Sequence, residues 1–253
     1  MKKHSKYISL ITTLYGQDVK ISQPDFVGLH HPIYIAEKNN EKNIIRFSSK
    51  ECASRNFHVS RLLRKYDIPV PELSFYNFDN QYFETYTFIE GKTLYERHQE
   101  GISQEQIKNV YRQLCDICYR MSKIPVKEAE NIHLHTCKTD TFFKFLNFSP
   151  RVIGHCDLND KNILLDKNDN VCAILDLDQV ELKTFELILI NLFEVAKEKG
   201  YDFSVESIKD FFPSVYHEKA LLNLSQQYEI YKKIVNTKDK ILKNKQILQT
   251  KCK

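Results

Sequence analysis

Alternation of apolar and polar positions dominates the first third of the chain, and helical spacing dominates the rest. Ile33–Ala36 and Asn43–Phe47 flank a polar turn from Glu37 to Lys42 and predict a hairpin. Val59, Leu62, Leu63 and Tyr66 share one face of a helix that must stop before Ile68-Pro69-Val70-Pro71, where two prolines forbid continuation. Leu73 to Phe78 and Gln81 to Phe88 predict another strand pair around Asp79-Asn80. From Met1 to about Ile89 the pattern thus favours strands with one helix.

Beyond Gly91 the period changes. Ser103-Gln104-Glu105-Gln106 is a capping box, and Ile107, Val110, Tyr111, Leu114, Cys118 and Met121 form the apolar stripe of the helix it starts. Phe142, Phe143, Phe145 and Leu146 predict a short helix. Leu187 to Ala196 is apolar around most of its circumference, as a buried helix is. Further amphipathic helices are expected over Val205 to Leu248.

Between these helices lies His155-Cys156-Asp157-Leu158-Asn159-Asp160-Lys161-Asn162, set between the strands Arg151-Val152-Ile153 and Ile163-Leu164-Leu165. A second apolar strand, Val171 to Leu175, ends at Asp176 and Asp178. The turn from Asp166 to Asn170 is rich in residues that tolerate left-handed backbone, so a hairpin can bring Asp157, Asn162 and Asp176 to one end. Asn162 and Asp176 are hard oxygen ligands suited to Mg²⁺ against a nucleotide's phosphates. Asp157 can accept or orient the proton of an attacking hydroxyl.

The run from Val152 to Asp166 resembles the catalytic loop of aminoglycoside phosphotransferases and choline-kinase-like enzymes, and Ala173-Ile174-Leu175-Asp176-Leu177-Asp178 resembles their metal-binding segment. The resemblance runs with decreasing clarity from about Ile33 to Ile190. It implies a bilobal, protein-kinase-like α+β fold, with a small antiparallel-sheet lobe over 1–90 and a larger, mainly helical lobe over 91–253. It implies Asp157 as the catalytic acid/base, Asn162 and Asp176 as Mg²⁺ ligands, His155 as a loop brace, and Asp178 as a second acid near the metal or a structural one. Phe88-Ile89-Glu90-Gly91 resembles the interlobe hinge, where Phe88 and Glu90 would meet the base of ATP or GTP. The implied reaction moves the γ-phosphoryl group to a hydroxyl of a small molecule: an aminoglycoside-like compound, a sugar or an amino alcohol.

The nucleotide-binding half departs from the family pattern. Gly28-Leu-His-His-Pro-Ile-Tyr34 takes the place of the phosphate-covering loop with a single glycine, so Gly28 would approach the phosphates in a stiff flap. Arg46 stands where a basic residue reaches the α- and β-phosphates. The acid expected to support it from the following helix falls on Asn56, with Glu51 an earlier substitute. That gap keeps open a second reading, a kinase-fold nucleotide-binding regulatory module with weak or no catalysis. A protein kinase is disfavoured because only Gln179 to Thr184 separates the second acid cluster from the next helix.

Composition narrows the setting. The 253 residues carry 42% hydrophobic and 28% charged residues, as a globular chain does, and no apolar run is long enough to span a membrane. The basic N-terminus lacks an apolar h-region, so no secretory leader is expected. Seven scattered cysteines fit reduced thiols in a cytoplasm, and Cys115 and Cys118 fit a helix core. The net charge of +4 is concentrated in the last 22 residues, whose eight lysines read as the solvated face of a helix; no nucleic-acid partner is indicated. His133, His135 and Cys137 alternate like metal ligands but lack a fourth member at suitable spacing. Nothing in the pattern fixes an oligomeric state.

Overall fold

The computed structural model describes residues 2–24, 31–136, 150–201 and 233. Within them the chain is α+β. It begins with a helix that the alternation argument missed, α1 (Lys2–Tyr15). Its Ile8, Leu10, Ile11 and β-branched neighbours read like strand residues, yet Leu10 and Ile11 are buried against a sheet with Tyr34, Ala36, Ile45, Phe47 and Phe83. The described residues of the first third therefore form two helices rather than one.

That sheet is wholly antiparallel, in the order β1 (Lys20–Ser22), β2 (Ile33–Lys38), β3 (Glu41–Ser48), β5 (Gln81–Thr87), β4 (Ser74–Phe78). Its two hairpins turn on Asn39-Asn40 and Asp79-Asn80, all four in the left-handed region, which Asn and Asp tolerate and a two-residue hairpin requires. Register places Ile45 and Phe47 on the face covered by α1, and Arg46 on the other. α2 (Lys50–Lys65) lies near that second face; it is capped by Ser49, whose Oγ accepts from the Cys52 N–H at 3.1 Å.

Val59, Leu62 and Leu63 of α2 join a larger core built from α4 (Gln104–Ser122), β8 (Arg151–His155), β9 (Ile163–Leu165), β10 (Val171–Ile174) and α5 (Phe185–Glu198). The capping box of α4 forms as expected, with Ser103 and Gln106 each serving the other's backbone, and Cys115 and Cys118 are buried free thiols. The chain crosses from sheet to helices at Gly91, through β6 (Lys92–Thr93) and α3 (Leu94–Gln99). A Cβ on Gly91 would stand 2.5 Å from the Leu165 carbonyl oxygen, so only glycine lets the connector lie against β9. β7 (His135–Thr136) and β8 flank β11 (Val180–Thr184). The short gap after the second acid cluster is therefore a strand paired with β8. Among the described residues no helix is long and apolar enough to cross a membrane. The expected flap glycine Gly28, the helix at Phe142, those beyond Val205 and most of the lysine-rich tail lie outside the described residues.

Candidate active site

β8 delivers His155 into the core, where it is 2% exposed. Its Nε2 lies 3.0 Å from the Leu175 carbonyl and 3.1 Å from that of Asp176, and its Nδ1 accepts the Asp157 N–H at 3.2 Å. A ring that donates from Nε2 and accepts at Nδ1 is neutral, and burial pushes its pKa down in the same sense. One imidazole thus ties the loop carrying Asp157 to the segment carrying Asp176.

Asn162 adds a second tie. Its Nδ2 donates to the Asp157 carbonyl at 3.0 Å and to Asp157 Oδ2 at 3.3 Å, while its own carbonyl accepts the Leu175 N–H at 2.8 Å. Asn159 Nδ2 donates to the other Asp157 oxygen at 2.9 Å. With Nδ2 spent on Asp157, the Asn162 amide keeps Oδ1 as a ligand atom. Asp176 sits in the left-handed region at φ +59°, and its carboxylate is 37% exposed. Among the described residues no donor hydrogen-bonds that carboxylate, and Arg46 Nη2 is 3.9 Å away. Burial, then the nearby Asp178, raise its pKa, against the pull of Arg46. Two oxygen donors without competing hydrogens, next to a second carboxylate, fit a hard divalent cation.

Arg46 projects from β3 into a dense polar cluster. Its guanidinium pairs with Asp178, and Nη1 donates to Glu84 Oε1 at 3.1 Å. Asp178 also accepts from Asn56 Nδ2 at 2.7 Å and the Cys52 thiol at 3.0 Å, with Arg55 Nη2 at 3.3 Å and His31 Nε2 at 3.7 Å. Burial would raise the Asp178 carboxyl, but Arg46 and the other donors outweigh it and hold it well below the usual carboxylate range. Asp178 thus gathers two arginines. Burial, then Asp178, push the Cys52 thiol up to about 12. His31, Cys52 and Asp178 are close enough to share a metal ion, yet Arg46 and Arg55 already neutralise that carboxylate.

The acid that supports Arg46 besides Asp178 is neither residue weighed from the sequence. Glu51 is exposed at the start of α2, and Asn56 reaches Glu84 and Asp178 rather than Arg46. Glu84 comes from β5, directly opposite Arg46 in the ladder. A sequence signal existed: a lone charge inside Tyr82-Phe83-Glu84-Thr85-Tyr86, at a position whose strand neighbours face inward.

At the hinge, the Phe88 N–H is committed to the Lys42 carbonyl at 2.8 Å. A nucleotide base would therefore draw its backbone donor from the chain after Phe88, where Glu90 is exposed. The Tyr95 N–H donates to the Asp160 carbonyl at 2.9 Å, coupling the connector to the loop. On the far side of Asp157 a cleft of about 230 Å³ opens toward α5, lined by Asn191, Glu194, Val195 and Glu198. His133 ends a short helix in left-handed conformation, and Cys137 lies outside the described residues.

No protein-family model and no curated protein matches the sequence. Solved structures do. The GDP complex of wild-type aminoglycoside 2'-phosphotransferase-IIIa superposes with a TM-score of 0.66 at 12% identity, over 88% of this chain and 87% of that one. A spectinomycin phosphotransferase bound to ADP and spectinomycin gives 0.55 at 13% identity, over 82% and 83%. Macrolide 2'-phosphotransferase type I gives 0.53 at 11% identity, over 90% and 97%. The chain has the kinase-like fold of these phosphotransferases.

Proposed function

We propose that the protein is a small-molecule kinase that moves the γ-phosphoryl group of ATP or GTP to an acceptor hydroxyl, with 1–90 and 91–253 as its two lobes. The observation that carries this reading is the mutual anchoring of Asp157, Asn162 and Asp176 by His155 and by the Asn162 amide. Phosphoryl transfer asks a protein mainly to hold oxygens and charges in place, and this site is built to do so. Fold relatives solved with GDP or ADP support a nucleotide as donor.

Asn162 Oδ1 and the Asp176 carboxylate would hold Mg²⁺, which supplies charge neutralisation between the phosphates. Arg46 Nη2 lies 3.9 Å from Asp176, which would set the guanidinium, held by Glu84 and Asp178, near phosphates carried by that metal. Asp157, held by Asn159 and Asn162, faces the cleft against α5 and takes or aligns the proton of the acceptor hydroxyl. Glu194 and Glu198 on the cleft wall suit an acceptor carrying amino groups. The case for a non-catalytic module rested on an unsupported Arg46, and the Glu84 pairing weakens it.

The test is Mg²⁺-dependent consumption of ATP and GTP across a panel of aminoglycosides, choline and sugars. Consumption that rises with one acceptor class supports the reading. Nucleotide binding with no acceptor-dependent consumption returns the module. Asp176→Asn should weaken metal-nucleotide binding.

A further inference from the structure

We infer that Glu84 on β5 is a positioning acid for Arg46, so that the acid paired with the phosphate-binding arginine comes from the neighbouring strand and not from helix α2. The inference rests on the kinase reading and deepens it by naming what holds Arg46.

The geometry is that of a cross-strand pair. β3 and β5 run antiparallel with Arg46 opposite Glu84, so both side chains leave the same face. Glu84 is 2% exposed and is met from three directions. Arg46 Nη1 donates to Oε1 at 3.1 Å, Ser48 Oγ at 3.2 Å and Asn56 Nδ2 at 3.2 Å. A carboxylate this buried is tolerable only when charge-paired and hydrogen-bonded, and every one of these partners is a donor. Glu84 grips one end of the guanidinium while Asp178 takes the other. Asp178 belongs to the segment beside Asp176, whereas Glu84 belongs to the same sheet as Arg46.

The exchange explains Asn56. At 1% exposed, its amide bridges Glu84 and Asp178. A glutamate there would set a third carboxylate against the buried Glu84 and the half-buried Asp178. With the acid on β5, the helix needs a donor at this point, and asparagine supplies one. The paired strands bring Arg46 and Glu84 face to face in register, and α2 contributes the Asn56 amide as a donor to both acids.

Calorimetric binding of ADP and GDP with Mg²⁺, alongside adenosine and guanosine, separates positioning from folding, because the nucleosides carry no phosphate. Glu84→Gln should weaken the diphosphates roughly tenfold or more and leave nucleoside binding unchanged. Glu84→Asp, which keeps the charge but shortens its reach, should show a smaller loss of the same kind and serves if the glutamine variant fails to fold. Asn56→Glu combined with Glu84→Gln returns the acid to the helix and should recover most of the loss. A wild-type chain that binds neither diphosphate overturns the kinase reading and this inference together. Wild-type binding with undiminished diphosphate affinity in the folded Glu84 variants overturns this inference alone.

Discussion

Replacing His155 by leucine removes the one ring that joins the two halves of the candidate site while keeping an apolar side chain in the space. The ring donates from Nε2 to the Leu175 and Asp176 carbonyls and accepts the Asp157 N–H. Leucine leaves both sides unpaired. A buried group deprived of its partner costs about 1–3 kcal/mol, so two such losses give about 3 kcal/mol. In a chain of this size that lowers Tm by about 6–12 °C, readable by calorimetry. Turnover should fall as well, because Asp157 and Asp176 lose their shared anchor. His155→Gln, which keeps a donor for the carbonyls but nothing at Nδ1, should lie between. A leucine variant that melts within 2 °C of wild type with unchanged turnover would refute the bracing role.

Gly154 of β8 faces Ile188 so closely that a Cβ would stand 2.1 Å from its Cδ1; Gly154→Ala should cost about 1–3 kcal/mol, and adding Ile188→Val should restore part of it in thermal unfolding. Asp169, 5% exposed, accepts from Arg97 Nε at 2.6 Å, Arg97 Nη2 at 2.9 Å and Gln106 Nε2 at 2.6 Å, clamping α3 and α4 to the β9–β10 turn. Asp169→Asn keeps a residue that tolerates the left-handed backbone and isolates the charge, with an expected loss of about 2 kcal/mol in chemical unfolding. Burial lifts Glu84 to about 7 against the attraction of Arg46, while Asp178 adds to the lift and Ser48 and Asn56 oppose it. Because its folded-state pKa lies above the ordinary 4.5, its stability contribution is full below about 4.5 and is lost as pH rises through about 7. Diphosphate affinity should move the other way, falling as pH drops through about 7 and Glu84 takes up a proton, and Glu84→Gln should flatten that limb in a pH titration of binding.

Much of this site was legible because its residues are local. His155 to Asn162 and Asp176 lie within one strand–loop–hairpin unit, so spacing alone brings them together, and turn residues such as Asp166 and Asn170 announce the reversal. The capping box of α4 was equally plain, since Ser103 and Gln106 meet within a single helical turn. Glu84 was not legible as a partner, because its pairing with Arg46 depends on which strands neighbour each other, and periodicity carries no information on strand order. Asn56 looked like a defect only while the acid was sought on the helix. α1 escaped because Ile8, Ile11 and Thr12 favour strands locally, and the apolar face of the sheet overrides that preference.

The most direct measurement compares Asp157→Asn with wild type in Mg²⁺-dependent phosphoryl transfer to whichever acceptor the panel reveals. The substitution removes the charge and leaves one side-chain oxygen to accept from Asn159, while Asn162 keeps the Asp157 backbone carbonyl as its acceptor. The account predicts turnover lower by roughly 10²–10⁴-fold with nucleotide affinity nearly intact. Turnover close to that of wild type would contradict it.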